Sequence, residues 1–490
     1  MSTFRKSLAI NFMASSGATL VMFVVSLVVA RILTPAEIGI YSIAIVLVNI
    51  AHVFREFGVS SYLQRADGLT RLRVRSALGV AYAITWTVAA IVWFASDWVA
   101  HWFGYDAIGP VMRILAVSFL FIPFSSVALA LLLREYDAKK IAVGTAVGTI
   151  AYSATAIGLA LTGSGAASLA WANLANVLST GLVYMALRPL HMAYLPRFRE
   201  TGDILRFGTG ALFTNLVQAG NNALPDLMLG KIGSARQVGL LSRANSTVSI
   251  FMYVAGSAIT FGSQTYLAKA HHAGQSLEPL LHRAIGLVTA IGWPLLAVTM
   301  IVAEDMVVGL YGETWLPAAP AIVPLALMAA IDLTFHYHTA AFNAIGRPYL
   351  ASMPLLGTAL FRIGLGLALW NGDIVSFGWA MMLATLASSS VWLTLQRKYL
   401  GCGPSAFARM LLPSAVVAVV CAGVAYISQL AIAQFGIGWP ILRLLLLGVP
   451  VTACWLAMLR VLRHPLFNEV AMLAGKLGIP LSPLGIEKTA

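Results

Sequence analysis

Residues 108–133 read IGPVMRILAVSFLFIPFSSVALALLL, and Arg113 is the only charged residue among them. An α-helix needs about 20 such residues to cross the roughly 30 Å hydrocarbon core of a bilayer. Backbone groups in lipid must form their hydrogen bonds within the protein, so a spanning segment is a helix or part of a closed barrel. The apolar residues here are continuous and do not alternate, which predicts a transmembrane helix.

Similar apolar runs fill the rest of the chain. Of its 490 residues, 59% are hydrophobic and 10% are charged, whereas an ordinary soluble domain is about 25% charged. The fold class predicted is therefore an all-α integral membrane protein with about 14 transmembrane helices and no soluble domain. The predicted spans are residues 8–30, 38–62, 76–96, 108–133, 141–162, 167–187, 206–230, 238–266, 284–303, 318–343, 350–370, 374–396, 410–430 and 441–462.

The basic residues predict how the chain is oriented. Most of the 31 Lys and Arg fall in alternate connections, and the connections around residues 65–75, 134–140, 188–206 and 397–409 are the richest. Lys and Arg accumulate on cytoplasmic loops, so both termini are predicted to be cytoplasmic. The net charge of +13 does not indicate nucleic-acid binding, because no loop combines a dense basic run with interleaved aromatic residues.

The end of the chain has a different pattern. Leu466, Val470, Leu473 and Leu477 recur at helical spacing. This spacing predicts a short amphipathic helix that lies on the inner membrane surface.

The chain contains an internal repeat. Residues 31–44 (RILTPAEIGIYSIA) resemble residues 231–244 (KIGSARQVGLLSRA). The identical positions are Gly39 and Gly239, Ser42 and Ser242, and Ala44 and Ala244. A weaker similarity pairs Trp102-Phe-Gly104 with Leu310-Tyr-Gly312.

The repeat predicts the domain organisation. Residues 1–200 and 201–400 would form two six-helix lobes related by a pseudo-twofold axis along the membrane normal, and residues 401–490 would add two helices and the amphipathic tail. Paired lobes of this kind typically rock about a central cavity to give alternating access. The repeat therefore favours a transporter.

Five stretches resemble the Wzx-type polysaccharide flippases. They are residues 30–42, 55–61, 238–244, 311–320 and 344–347, and they occur in the family's order and between the expected helices. That family belongs to a superfamily that also contains drug/cation antiporters and the lipid II flippase. The resemblance implies a V-shaped bundle in the bacterial inner membrane. Such a protein would move a polyprenyl-diphosphate-linked oligosaccharide to the outer leaflet for the synthesis of capsule, O-antigen or exopolysaccharide. A polysaccharide polymerase or export machinery would be a candidate partner.

Arginines inside the membrane are the candidate phosphate ligands, because the guanidinium group binds phosphate through two hydrogen bonds and keeps its charge. Arg55 and Arg243 match arginines that the lipid II flippase uses for diphosphate binding, and the resemblance implies the same role here. Arg31, at the outer mouth, is the third candidate. The alternatives are that Arg55 is solvated or paired near Glu56 and that Arg243 extends to the headgroups. Structural roles are expected for Arg113 and Arg362.

Polar residues on the seventh predicted span form a second candidate site. Asn215, Gln218 and Asn222 recur at i, i+3 and i+7 and make one polar stripe. Such a stripe can line a cavity and bind sugar hydroxyls, or it can form hydrogen bonds between helices.

Buried acids are candidates for ion coupling by a proton or a sodium ion; no other cofactor is expected. Asp226 follows the helix-bending Pro225, and its alternative role is a salt bridge to an arginine such as Arg113 or Arg362. Asp332 and His336 share a helix face at i, i+4, which permits a proton relay or a polar cavity lining. No metal site is predicted, because His336 and His338 point in different directions and Cys402, Cys421 and Cys454 are far apart.

Two other classes of protein fit the sequence less well. A drug/cation antiporter of the same fold would favour a cavity dominated by carboxylates, whereas this chain places arginines in its spans. A membrane polysaccharide polymerase or ligase would need catalytic residues on longer outer loops, and the outer connections here are short. A transporter and not an enzyme is therefore expected.

Overall fold

The computed structural model describes residues 3–55, 59, 63, 70–187, 196–198, 202–250 and 263–476. Within these residues the regular secondary structure is entirely helical. The first half contains α1 (Thr3–Ile32), α2 (Pro35–Arg55), α3 (Arg71–Phe103), α4 (Ile108–Arg134), α5 (Ala138–Leu161) and α6 (Ala166–Leu187).

The second half repeats this series with more interruptions. It contains α7 (Gly202–Ile232), α8 (Ala235–Val248), α9 (Ser263–His272), α10 (Glu278–Ile301), α11 (Ala303–Tyr311), α12 (Ala319–Phe335), α13 (His338–Ala344), α14 (Ser352–Ala368) and α15 (Ile374–Leu400). Short 3₁₀ turns occupy Glu313–Ala318 and Pro348–Ala351. The chain then continues with α16 (Pro404–Gln434), α17 (Pro440–Val461) and α18 (Pro465–Lys476).

The transmembrane prediction is confirmed. Among the described residues, 12 helical segments are long and apolar enough to cross a membrane. The two further predicted spans correspond to α7, which is 31 residues long and carries many polar side chains, and to the segment that begins with α8. Residues 251–262 of that last segment lie outside the described part of the chain.

The predicted tail forms a helix, α18, while its position on the inner membrane surface stays a prediction. Leu466 is buried, and Glu469 forms a 3.0 Å ion pair with Arg283 near the start of α10. Leu477 lies outside the described residues. The tail helix therefore packs against the second half of the protein and forms an ion pair with it.

Helix ends follow ordinary capping chemistry. The Asp373 carboxylate accepts hydrogen bonds from the backbone N–H groups of Val375 (2.6 Å) and Ser376 (2.8 Å) at the start of α15. Gly401 ends the same helix with φ +74°, a left-handed conformation that glycine adopts without steric cost. These caps satisfy backbone groups that have no partner within the helix.

Helix packing follows the repeat. In the first half α1 packs on α5, and α4 packs on α3 and α6; in the second half α7 packs on α14, and α12 packs on α10 and α15. The two halves meet mainly where α2 crosses α8, and α16 and α17 pack on the outside of α10 and α11. The boundaries of the two lobes at residues 200 and 400 stay a prediction.

Candidate functional site

The two copies of the repeat touch each other at the crossing of α2 and α8. A Cβ atom on Gly39 would lie 1.7 Å from the Ala235 carbonyl oxygen, and one on Gly239 would lie 1.9 Å from the Pro35 carbonyl oxygen. One turn further on, the Ser42 and Ser242 hydroxyl oxygens are 3.3 Å apart and form a hydrogen bond. The helices approach this closely because neither glycine has a side chain.

Basic residues add a reciprocal contact at the same end of the bundle. The Arg31 guanidinium donates from Nη2 to the Gly309 carbonyl (2.6 Å) and from Nε to the Leu310 carbonyl (3.3 Å) at the end of α11. Lys231, the equivalent residue in the repeat, donates from Nζ to the Trp102 carbonyl (2.5 Å) at the end of α3. Each half therefore places a cation at a helix C-terminus of the other half, where the helix dipole is negative.

Two aromatic residues complete these contacts. The Trp315 indole Nε1 donates to the Ala30 carbonyl at 2.7 Å, and the Tyr105 hydroxyl accepts from the Ala235 backbone N–H at 3.0 Å. We call the contacts of Arg31, Gly39, Ser42, Lys231, Gly239 and Ser242 across the two halves the outer closure. The charge pattern predicts that this end of the bundle faces outward, and in this structure the two halves are joined there.

Of these residues, only Arg31 has a site role predicted from the sequence, as a diphosphate ligand. The structure gives its guanidinium two backbone acceptors, and the diphosphate role stays a prediction. Lys231 and Trp102 were missed as contact residues. The repeat contained the signal, because it aligns Arg31 with Lys231 and pairs Trp102 with Leu310.

Arg243 lies deeper, between the two halves. Its guanidinium stands over the Tyr311 ring at 5.7 Å and acts electrostatically on the Tyr152 hydroxyl of α5. Its Nε is buried without a hydrogen-bond partner among the described residues, and no described carboxylate forms an ion pair with this side chain. A half-buried cation that faces hydroxyls and lacks an acid is suited to bind an anion.

The other predicted clamp residue is only partly described. Arg55 is the last residue of α2, and its side chain lies outside the described residues. The diphosphate role of Arg55 stays a prediction.

The predicted polar stripe on α7 is exposed. Asn215, Gln218 and Asn222 are all solvent-accessible, and Gln218 Nε2 donates to Asn222 Oδ1 at 3.1 Å. Amides on a membrane-crossing helix need water or polar partners, so a position along a cavity suits this stripe better than contact with lipid. The neighbouring Asn221 lies on a different face and is buried.

Arg362 forms hydrogen bonds with Asn221, four residues before a proline in α7. The Arg362 guanidinium, only 7% exposed, donates from Nη1 to the Asn221 backbone oxygen (2.9 Å) and side-chain oxygen (3.0 Å). Pro225 stands four residues after Asn221 and has no N–H, so the Asn221 carbonyl loses its normal helical partner. Arg362 supplies the missing donor, which gives it the structural role that the sequence analysis expected.

A second proline is compensated in the same way. Pro294 in α10 leaves the Ala290 carbonyl without its helical donor, and the Trp455 indole Nε1 from α17 donates to that carbonyl at 2.9 Å. At Pro225 and Pro294, the carbonyl that the proline leaves free thus binds a side chain of another helix.

The candidate ion-coupling residues lie on α7 and at the end of α12. Asp226, half-buried, follows Pro225, and its two suggested arginine partners are engaged elsewhere: Arg113 pairs with Asp97, and Arg362 binds Asn221. Asp332 is exposed and acts electrostatically on Arg362. His336 directly follows the end of α12, and no described hydrogen bond joins it to Asp332. Their roles in ion coupling stay a prediction.

A large apolar cavity lies between α10, α12 and α15 of the second half and the additional helix α16. Its volume is about 590 Å³, and Trp293, Phe335, Leu393, Phe407 and Leu411 are among its lining residues. The cavity forms where four helices pack together, so the hydropathy pattern along the chain did not indicate it.

The fold is that of a multi-pass membrane protein, and solved membrane transporters share it. It resembles the lipid II flippase MurJ in an inward closed conformation, with a TM-score of 0.72 and 13% identity over 92% of this chain and 99% of that one. It also resembles an inward-facing multidrug resistance MATE family transporter of the MOP superfamily, with a TM-score of 0.65 and 16% identity over 82% of this chain and 98% of that one.

The family of this chain follows from its sequence. The family described as "Polysaccharide biosynthesis protein" matches residues 28–320, and the chain belongs to it. The resemblance recognised in the sequence is thereby confirmed, and the protein is a multi-pass membrane protein of a polysaccharide biosynthesis family.

Individual relatives are more distant. The chain is 22% identical to the lipopolysaccharide biosynthesis protein WzxC of Escherichia coli over 62% of this chain and 62% of WzxC. It is 21% identical to the teichuronic acid biosynthesis protein TuaB of Bacillus subtilis, over 70% of this chain and 72% of TuaB. It is 22% identical to the succinoglycan biosynthesis transport protein ExoT of Rhizobium meliloti, over 80% of this chain and 77% of ExoT.

Proposed function

We propose that this protein is a flippase that moves polyprenyl-diphosphate-linked oligosaccharide units across the bacterial inner membrane by alternating access, with both termini in the cytoplasm. The observation that carries the proposal is Arg243, a half-buried cation between the two halves with no described carboxylate partner. Together with Arg55 at the end of α2, it would hold the diphosphate. Arg31 is the third candidate ligand, available once its contacts with α11 open.

The other parts of the substrate have matching surfaces. The exposed amides of Asn215, Gln218 and Asn222 can bind sugar hydroxyls. The apolar cavity of about 590 Å³ can accept part of a polyprenyl chain, whose burial contributes roughly 0.8 kcal/mol per CH₂ group.

The state of the bundle also fits this mechanism. The outer closure joins the two halves at one end, while the amide stripe of α7 stays exposed nearer the other end. In the proposed cycle, substrate enters from the cytoplasmic side in this state, and the outer closure then separates to release it. Asp226 or the Asp332–His336 pair would couple the movement to a proton or a sodium ion.

The test is export of surface polysaccharide in the native strain lacking this protein, complemented with variants at equal protein level. Arg243→Ala and Arg55→Ala should abolish export, and Arg243→Lys should restore it only in part, because an ammonium group cannot form the two-bond contact with phosphate. Arg236→Ala is the matched control, since Arg236 is an exposed arginine on the same helix. If Arg243→Ala and Arg55→Ala both export at the wild-type rate, the diphosphate site is wrong.

A binding measurement tests the diphosphate site directly. Purified protein should bind a polyprenyl diphosphate oligosaccharide, and loss of Arg243 should weaken binding about 10- to 100-fold, the effect of losing hydrogen bonds to a charged group. If the deletion strain instead exports normal polysaccharide and becomes sensitive to cationic drugs, the antiporter alternative replaces the flippase.

A further inference from the structure

Three side chains with metal-binding chemistry meet at one end of the second half. Glu278 and His282 lie on the first two turns of α10, and Cys402 lies in the connection between α15 and α16. A carboxylate oxygen, an imidazole nitrogen and the thiol sulfur all lie within 4.8 Å of one another. The charge pattern predicts that this end of the bundle is cytoplasmic, where thiols are kept reduced.

The fold brings these residues together in a defined way. Glu278 and His282 are four positions apart and therefore share one face of α10. Gly401, with φ +74°, ends α15 and turns the chain so that Cys402 becomes fully buried. The Phe407 ring of α16 packs on the His282 imidazole with ring centres 5.9 Å apart.

His282 also has an unpaired nitrogen. His282 Nε2 is buried and has no hydrogen-bond partner among the described residues, whereas buried polar atoms in native proteins are nearly always paired. The Cys402 sulfur is poorly satisfied too, because its only described contact is a weak one of 3.6 Å to the Leu400 carbonyl. A metal ion would give both atoms a strong partner.

We propose that Glu278, His282 and Cys402 bind one Zn²⁺ ion. A thiolate, an imidazole and a carboxylate form a ligand set that suits zinc and does not suit Mg²⁺ or Ca²⁺, which take oxygen ligands. Zinc bonds of about 2.0–2.3 Å place ligand atoms roughly 3.5 Å apart. The three atoms therefore need to approach by up to about 1.3 Å, a distance that side-chain rotation can supply, and water would complete the tetrahedron.

The ion would join α10 to the α15–α16 connection. It would thus anchor the first of the two additional C-terminal helices to the second half of the protein. Nothing in this role depends on the proposed flippase activity.

The experiment uses the full-length protein in detergent after removal of any histidine tag and of bound metal. Wild-type protein should bind one Zn²⁺ per chain, and Co²⁺ should produce the ultraviolet thiolate-to-cobalt charge-transfer band. Cys402→Ser should abolish that band, and Cys402→Ser and His282→Gln should each weaken Zn²⁺ binding at least tenfold. Zn²⁺ should raise the melting temperature of the wild type but not of Cys402→Ser.

Two matched variants control for cysteine and histidine content. Cys454→Ser changes a cysteine in α17, and His271→Gln changes an exposed histidine at the end of α9; both should bind Zn²⁺ as the wild type does. Glu278→Gln removes a partly exposed carboxylate and tests the site even if the buried cysteine variant does not fold. The proposal fails if the wild type binds no Zn²⁺, if Co²⁺ gives no thiolate band, or if Glu278→Gln or a folded Cys402→Ser binds Zn²⁺ with unchanged affinity.

Discussion

Gly39 and Gly239 occupy equivalent positions in the repeat and face each other where α2 crosses α8. A side chain on either one would collide with the backbone of the opposite helix, at 1.7 Å from the Ala235 oxygen in one case and 1.9 Å from the Pro35 oxygen in the other. The repeat therefore makes contact with itself about the pseudo-twofold axis. This relationship makes the outer closure the natural point at which to test the proposed alternating access.

We expect a disulfide across the outer closure to stop transport. The Ser42 and Ser242 oxygens are 3.3 Å apart, so cysteine sulfurs in their places need to approach by about 1.3 Å to reach the S–S bond length of about 2.05 Å. With Cys402, Cys421 and Cys454 replaced, mild oxidation should cross-link the Ser42→Cys/Ser242→Cys protein and abolish export, and a reductant should restore it. Each single cysteine variant is the control. Full export by the cross-linked protein would show that the two halves do not separate here.

Alanine at either glycine should open the outer closure. Gly39→Ala and Gly239→Ala each insert a methyl group where backbone already lies, and overpacking of this kind typically costs 1–3 kcal/mol. The bundle should then favour the state in which α2 and α8 are apart. A cysteine at position 42 should react several-fold faster with a membrane-impermeant maleimide added from outside.

The matched control for this experiment is Gly220→Ala in α7, because a Cβ atom there meets nothing within 4 Å. It should leave the labelling rate unchanged. Equal labelling of the Gly39→Ala protein and the wild type would contradict the prediction.

We expect Arg362 and Pro225 to be energetically coupled. Arg362→Met leaves the Asn221 carbonyl without a donor, and an unsatisfied buried acceptor costs about 1–3 kcal/mol. In Pro225→Ala protein the new backbone N–H can bond that carbonyl, so the same arginine substitution should cost roughly 1 kcal/mol less. The four proteins of this double-mutant cycle are compared by their free energies of unfolding in detergent.

Pro413→Ala provides the comparison, because Pro413 lies within α16 and is not bonded to Arg362 in the structure. Its effect should add to that of Arg362→Met. An equally additive result with Pro225→Ala would mean that Arg362 does not compensate for the proline.

Much of the fold was predictable because spanning helices are encoded locally. The predicted span 108–133 corresponds to Ile108–Arg134, and 441–462 corresponds to Pro440–Val461. The break between α12 and α13 was missed, since hydropathy does not register a change of backbone direction. The short α9 and α11 were missed for a related reason, because neither is long enough to span a bilayer.

The candidate site was predictable only as residue types. The stripe of Asn215, Gln218 and Asn222 follows from helical periodicity, and the structure leaves it exposed. The partner of Arg362 could not be predicted, because it depends on how α14 packs against α7 at a proline. The partners of Arg31 are backbone atoms, so residue type did not indicate them, and only the repeat aligned this contact with that of Lys231.

The sequence by itself determined the membrane-spanning helices, the repeat and the family, because each is a pattern of residues near one another along the chain. Only the tertiary structure decided that Arg31 binds the end of α11, that Arg362 satisfies the Asn221 carbonyl, and that Cys402 lies beside Glu278 and His282. These contacts join helices far apart in sequence. The physical reason is that helix packing, and not local hydropathy, determines which buried polar groups find partners.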